Sequence, residues 1–403
     1  MLKPTVKPTA ARKVEVLVIN VIAPTGLKRF PAARYSVVKE ASRPDVVLVR
    51  SQDLHKFDFG PAIKAVGRAG AGTNNVPVAQ LSKLGVPVFN APGANANAVK
   101  ELVLAGMLLA ARNLAGALEF VRGLDASAAD LDKRVEDGKK AFAGIELPGH
   151  SLGVIGLGKI GSLVADAAIH LGMHVQGYDP EITVDAAWSL PSQVRRAASI
   201  DELIRACRFV TLHVPLAEKT RNLINAKNAE YFRAGAVLLN FSRDGVVDDA
   251  AVLKALRSQR LRAYVTDFPS AALLREPGVI ALPHLGASTR EAEENCAVMV
   301  VDQVREYVEN GNVTNAVNFP DTVMARESPY RVAIANSNLP NMLARISESM
   351  GGAGLNIHNM LNKSKGEMAY TLVDADSEVP AAVIERLRAI DGVLAVRYLP
   401  AEG

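Results

Sequence analysis

Short apolar, β-branched runs alternate with stretches of helical spacing through the first hundred residues. Val14–Val21, Val46–Arg50, Ala65–Arg68 and Pro87–Asn90 read as strands. Near-continuous apolar runs suit strands covered on both faces, so this pattern predicts βα units on a parallel sheet. From Ala96 to Leu114 the chain predicts one long helix, richer in apolar residues than a single buried stripe requires. Such a helix either crosses between domains, pairs with another subunit, or lies buried within the chain. Between Gly123 and Gly144 the composition turns polar, which predicts a surface helix and loop.

A second alternating set follows. SLGVIGLG, HVQGYD, FVTLHVP, AVLLNFS, AYVTDF and VIALPH are predicted strands separated by helical or turn material. An amphipathic helix is predicted over Arg290–Glu309, with Gly311 placed to stop it. Phe319–Ser328 has linker character and marks a boundary. Beyond it, RVAIANSN, GLNIHNMLNK, GEMAYTLVDA and GVLAVRYL read as strands, with helices over LPNMLARISESMGG and VPAAVIERLRAI. The order βαββαβ predicts a ferredoxin-like unit. The class is α/β.

Bulk properties narrow the function. A chain of 403 residues predicts two or three domains, and 49% hydrophobic with 22% charged residues describes an ordinary globular protein. A net charge of +4 argues for neither nucleic acid nor an anionic membrane. Cys207 and Cys296 match no zinc-ligand spacing, and no HExxH occurs, so no metal site is expected and both are read as buried thiols. The basic opening stretch leads into an apolar run too short for a leader or a membrane span, and the expected location is cytoplasmic.

Chemistry enters at GLGKIG. Gly156 suits a tight turn, Gly158 a close backbone approach to a pyrophosphate, and Gly161 close helix–strand packing, with free N–H groups at the helix start. Asp179 ends the next predicted strand, about twenty residues on. Its carboxylate can accept from an adenosine ribose and would repel a 2′-phosphate, which favours NAD over NADP. Farther along, NFSRDGVVDD offers Arg243, a planar fork for a carboxylate, and LPHLGAST offers His284, an acid/base residue. Together they suit the oxidation of a 2-hydroxy acid.

Through GRAGAGTNNV, NAPGANANAVKELVLAGMLLAAR, GLGKIG, LHVPL, NFSRDGVVDD and PHLGAST, the chain resembles the D-isomer-specific 2-hydroxyacid dehydrogenases. Within them it is most similar to the members that act on D-3-phosphoglycerate. The resemblance implies two Rossmann-like domains: a flavodoxin-like substrate domain, split over 1–95 and 287–320, and an NAD-binding domain over 96–286. Residues 321–403 resemble an ACT regulatory domain.

The implied reaction is NAD-dependent oxidation of D-3-phosphoglycerate to 3-phosphohydroxypyruvate, the first step of L-serine synthesis. Arg243 and His284 are then catalytic. The implied cofactor-binding set is Gly156, Gly158, Lys159, Ile160, Gly161, Asp179, His213, Val214, Pro215, Thr220, Phe241, Ser242, Asp267, His284 and Gly286. Arg50, Ser51, Arg68, Gly70, Gly72 and Asn97 join Arg243 as implied substrate ligands, and Asn338 and Asn356 match positions that bind serine as an effector. A homodimer or homotetramer is implied as well.

The resemblance fails at one point. Relatives carry a glutamate shortly after the aspartate of the TDFP segment, hydrogen-bonded to the catalytic histidine. Here Ser270, Ala271 and Ala272 stand in that stretch, and Glu276 is not assigned the role. A shifted pH optimum follows, unless another acid substitutes in three dimensions. The alternatives are a dehydrogenase of another D-2-hydroxy acid, such as 2-hydroxyglutarate, and an NAD-sensing binding protein of the same fold.

Overall fold

The computed structural model describes residues 12–401, and the basic opening stretch over 1–11 lies outside them. The chain forms two compact units, one from the residues up to Asn95 together with those from Glu293 onward, the other from Ala96 to Ala292.

In the first unit, β1 (Val14–Ile19), β2 (Tyr35–Val38), β3 (Val46–Val49), β4 (Ala65–Arg68) and β5 (Val88–Phe89) make an all-parallel sheet of order β2-β1-β3-β4-β5. This is the flavodoxin-like winding. Every residue of β3 is buried, as a central parallel strand with both faces covered requires. The amphipathic helix predicted over Arg290–Glu309 runs over Arg290–Asn310, and Gly311 stops it at φ +76°. A Cβ on Gly67 would fall 2.9 Å from Val300, so β4 and this helix approach as closely as glycine allows.

Two strand readings change. The first strand stops at Ile19, because Asn20 turns left-handed at φ +69° and its side chain accepts from Gln52 N at 2.9 Å, leaving Val21 exposed. The short strand β2 lacks a long apolar run and was not anticipated.

The C-terminal part of the same unit is a four-stranded antiparallel sheet of β13 (Tyr330–Ser337), β14 (Ile357–Lys365), β15 (Met368–Ala375) and β16 (Val393–Pro400), in the order β14-β15-β13-β16. Helices Met342–Gly351 and Ala381–Arg388 complete the expected βαββαβ succession. Val332 and Ile334 point toward those helices, whereas Ala333 and Ala335 join the core around the Arg290–Asn310 helix. The predicted linker is held down: Arg331, fully buried, donates to the main-chain oxygens of Met324 and Ala325.

The second unit contains β6 (Ser151–Ile155), β7 (His174–Tyr178), β8 (Arg195–Arg196), β9 (Phe209–Leu212), β10 (Ala236–Asn240), β11 (Leu261–Thr266) and β12 (Val279–Ala281). They form one parallel sheet of order β12-β11-β10-β9-β6-β7-β8. Strand order reverses between β6 and β9, the crevice where ligands bind in doubly wound folds. The predicted helix from Ala96 ends at Ala111. Asn113 turns left-handed at φ +53°, and a second helix, Leu114–Arg122, leaves at 68° to the first. No single helix among the described residues is long and apolar enough to cross a membrane.

Candidate active site

Strand β6 delivers GLGKIG into the helix Lys159–His170. Gly156 adopts φ +89°, and a Cβ there would lie 2.6 Å from the His213 carbonyl oxygen; one on Gly161 would lie 1.9 Å from the Gly156 oxygen. Both glycines are therefore demanded by packing. A Cβ on Gly158 would meet no protein atom within 4 Å, so this glycine leaves open the face of the turn where a pyrophosphate approaches.

Asp179, just past β7, accepts from Leu157 N at 2.8 Å and Glu181 N at 3.0 Å. Beside it is a cavity of about 360 Å³ lined by Leu157, Gly158, Lys159, Asp179, Glu181 and Ile182 among others. Asp185 lines it too, so three carboxylates and one lysine line it; Lys219 lies 3.5 Å from Glu181, and no arginine is among the lining residues. That balance fits a ribose with free hydroxyls and opposes a 2′-phosphate. Ile160 packs into the core at the same turn.

Across the switch point, His213 follows β9. One ring nitrogen lies 3.0 Å from Thr211 Oγ1, and Nδ1 is enclosed with no protein partner. Burial pushes its imidazole down to about 3, so the ring is neutral near pH 7. Val214 touches the position a Gly156 side chain would take, while Pro215 is exposed. Thr220 ties the following loop together, its hydroxyl accepting from Ala217 N at 2.8 Å and donating to the Pro215 oxygen. Phe241 is buried against Gly106 and belongs to the core.

Arg243 and His284 lie on the same edge of the sheet, three residues past the carboxyl ends of β10 and β12 respectively. A continuous hydrogen-bonded path joins them. The buried Asn240 side-chain amide donates to the Arg243 main-chain oxygen at 3.1 Å, and the Asn240 main-chain oxygen accepts from Asp267 N at 3.1 Å. Asp267 O then accepts from His284 N at 3.1 Å. Asn240 Oδ1 also takes Ser242 Oγ at 2.8 Å, and Arg243 Nη1 donates to the Ser242 oxygen at 2.7 Å.

Asp267 is 1% exposed, and its carboxylate accepts from Leu285 N and Gly286 N, each at 2.7 Å. The His284 ring is exposed and packs against Phe268 at 5.0 Å between centroids. Among the described residues no acid is seen on that ring: Glu276 pairs with Arg257 at 2.9 Å, and Ser270 donates to Asp249 at 2.6 Å. Sequence reasoning overlooked Asn240, although it opens the very motif that supplied Arg243.

In the other unit, Arg50 and Arg68 stand at the carboxyl ends of neighbouring strands β3 and β4, where Val49 pairs with Arg68. Arg50 Nη2 lies 2.7 Å from Glu293 Oε1. Gly70, at φ +152°, makes room for Arg68: a Cβ there would sit 1.7 Å from its Nη1. Ser51 is exposed and Gly72 half-buried in the same loop region. The Asn97 amide is taken up by Glu101 at 2.8 Å and Lys100 at 2.6 Å along its own helix. Asn95, just ahead of that helix, has a buried side-chain oxygen with no protein partner.

Asn338 and Asn356 are not brought together within one chain. Asn338 N donates to Glu367 O and Asn356 O accepts from Asp376 N, which places them at opposite ends of β15. At about 3.4 Å per residue that strand separates them by more than 20 Å.

Comparison with known proteins decides the family. Residues 114–286 match the model of the D-isomer specific 2-hydroxyacid dehydrogenase NAD binding domain. The D-3-phosphoglycerate dehydrogenase of Haemophilus influenzae is 33% identical over 356 residues, covering 85% of this chain and 83% of that protein. The chain belongs to the D-3-phosphoglycerate dehydrogenase branch of the D-isomer specific 2-hydroxyacid dehydrogenases. Its cofactor is NAD, which the cavity beside Asp179 fits. The enzyme of the same name from Methanocaldococcus jannaschii is 37% identical over 298 residues, which are 71% of this chain but 54% of that longer protein. The fold is shared with the NAD⁺-bound 3-phosphoglycerate dehydrogenase of Entamoeba histolytica, with a TM-score of 0.59 and 24% identity over 76% of this chain and 99% of that one.

Proposed function

We propose that the protein is a cytoplasmic enzyme that oxidises D-3-phosphoglycerate to 3-phosphohydroxypyruvate, the entry to L-serine synthesis. The observation that carries the reading is the path Arg243–Asn240–Asp267–His284, which ties the main chain of Arg243, the proposed carboxylate fork, to that of His284, the proposed acid/base, on the sheet edge that also bears the nucleotide turn. Bound NAD supplies the acceptor for the hydride that leaves C2. His284 takes the C2 hydroxyl proton as the C–O bond becomes a carbonyl, and its exposure lets it pass that proton to water. Arg243 grips the carboxylate and stabilises charge growing on the carbonyl oxygen. Asp267 and Asn240 hold both loops in place, so neither group needs to be ordered during the reaction.

The phosphate falls to Arg50 and Arg68, aided by Ser51 and the Gly70–Gly72 loop. A phosphomonoester carries nearly two negative charges near neutral pH, which two guanidinium groups on adjacent strands suit. The absence of an acid on the His284 ring gives weight to one rival, an NAD-binding sensor without turnover. NADH formation with D-3-phosphoglycerate separates the two. Turnover that exceeds that on D-glycerate and 2-hydroxyglutarate, and that His284→Gln lowers at least ~100-fold, supports the proposal. Cofactor binding with no turnover overturns it.

Residues 321–403 are proposed as a regulatory ACT domain responding to L-serine. Because Asn338 and Asn356 stand at opposite ends of β15, a serine touching both amides needs a second copy of the chain, in keeping with a homodimer or homotetramer. Assay with and without serine, beside the oligomeric state, tests this.

A further inference from the structure

The arginine ending β3 is already engaged by an acid. Arg50 Nη2 and Glu293 Oε1 are 2.7 Å apart, with the two side chains 35% and 37% exposed. Glu293 lies in the first turn of the Arg290–Asn310 helix, whose later residues Val300 and Val304 pack on β4 beside Gly67. Cys296, one turn farther along, senses the whole cluster: burial raises its thiol, Arg68 and Arg50 pull it down, and Glu293 pushes it up. Two guanidinium groups and one carboxylate thus share a small region at the carboxyl ends of β3 and β4.

We propose that Glu293 is the internal counter-ion of the phosphate site, holding Arg50 in place before the phosphorylated substrate arrives and yielding to the phosphate when it binds. The inference rests on the reading that Arg50 binds that phosphate. A half-exposed, single-contact ion pair shifts an equilibrium by about fivefold at most, so it is readily exchanged. A phosphate dianion offers Arg50 paired charge-assisted hydrogen bonds in its place. The exchange has a consequence: while Glu293 remains charged, part of the attraction between Arg50 and any anion is offset. Glu293 therefore weakens phosphate binding and helps a phosphorylated product to leave.

The test compares Glu293→Gln, Glu293→Asp and Arg50→Ala in the full chain with NAD present. For Glu293→Gln, KM for D-3-phosphoglycerate should fall by about two- to fivefold at low salt, and inhibition by inorganic phosphate should tighten by a similar factor. Both effects should fade as salt approaches about 1 M, where the screening length is roughly 3 Å. KM for unphosphorylated D-glycerate should not follow. Glu293→Asp keeps the charge and should return KM toward the parent value, which a purely structural role of the longer side chain would not allow. An unchanged or raised KM for D-3-phosphoglycerate in Glu293→Gln overturns the counter-ion role, provided Arg50→Ala raises that KM. If Arg50→Ala leaves KM untouched, the assignment of the phosphate to Arg50 fails instead, and the inference falls with it.

Discussion

Asp267 carries His284. Its main-chain oxygen accepts the His284 N–H at 3.1 Å, and its carboxylate accepts the next two N–H groups in the chain. The arrangement matters because His284 sits at φ +56°, a left-handed conformation that a non-glycine residue adopts only when its surroundings require it. Replacing Asp267 by Ala strands two N–H groups beside a 1%-exposed position. The expected cost is about 2–4 kcal/mol of stability, with a fall in kcat/KM of at least ~10-fold as the histidine loop loses its anchor. Chemical denaturation and steady-state assay of Asp267→Ala check both. A variant with parent-like turnover would show that the loop is held by something else.

Gly70 offers a sharper test of the phosphate assignment. Any side chain there would occupy the space of the Arg68 guanidinium, since the Cβ position lies 1.7 Å from Nη1, and φ +152° disfavours an L residue. Gly70→Ala should displace Arg68 and raise KM for D-3-phosphoglycerate by about tenfold, the loss of roughly one charge-assisted contact. The change should be smaller for D-glycerate. Equal changes for both substrates would mean that Arg68 does not meet the phosphate.

The parallel strands, the nucleotide turn and the Arg243 and His284 motifs were legible because each rests on local pattern: continuous β-branched runs, glycine spacing, and loops directly after strands. What escaped depended on tertiary pairing. Nothing local says that Asn240 turns inward to join two loops, or that Glu293 reaches Arg50, more than two hundred residues away in the chain. Asn97 was named as a substrate ligand through the family resemblance alone, and its amide bonds to Lys100 and Glu101 within the helix that begins at Ala96. The bend after Ala111 was missed because Asn113 is the only local signal for it, and a lone asparagine is tolerated within a helix.

His213 makes a prediction about pH. Its folded value, about 3, lies below the roughly 6.5 of an unperturbed histidine because burial disfavours the charged ring. As pH falls below ~6.5 the unfolded chain therefore binds a proton that the folded protein refuses, and stability declines until the pH nears the folded value. Above ~6.5 the residue contributes no pH dependence. His213→Gln should remove close to one proton from the pH dependence of unfolding between ~6 and ~4, read from denaturation midpoints of the cofactor-free protein. Identical slopes in parent and variant would place the ring in contact with solvent.

Arg331 and Asp374 stand opposite each other in the β13–β15 register, both fully buried, with Nε to Oδ1 at 2.6 Å and Nη2 to Oδ2 at 2.8 Å. Arg331 also donates to the main-chain oxygens of Asn310, Met324 and Ala325, so one side chain gathers a helix end, the connecting segment and the C-terminal sheet. Arg331→Met leaves a buried carboxylate with Glu327 N, at 3.2 Å, as its side-chain hydrogen-bond donor and the Arg326 guanidinium as a nearby charge, and should cost about 3–5 kcal/mol. Adding Asp374→Leu removes the stranded charge and should restore part of that loss. Restoration stays incomplete because three carbonyl oxygens still lack their donor, each at about 1 kcal/mol or more. The order of stabilities, parent above double variant above single variant, is measurable by urea unfolding. A single variant within about 1 kcal/mol of the parent would mean that the pair does not hold this part of the fold together.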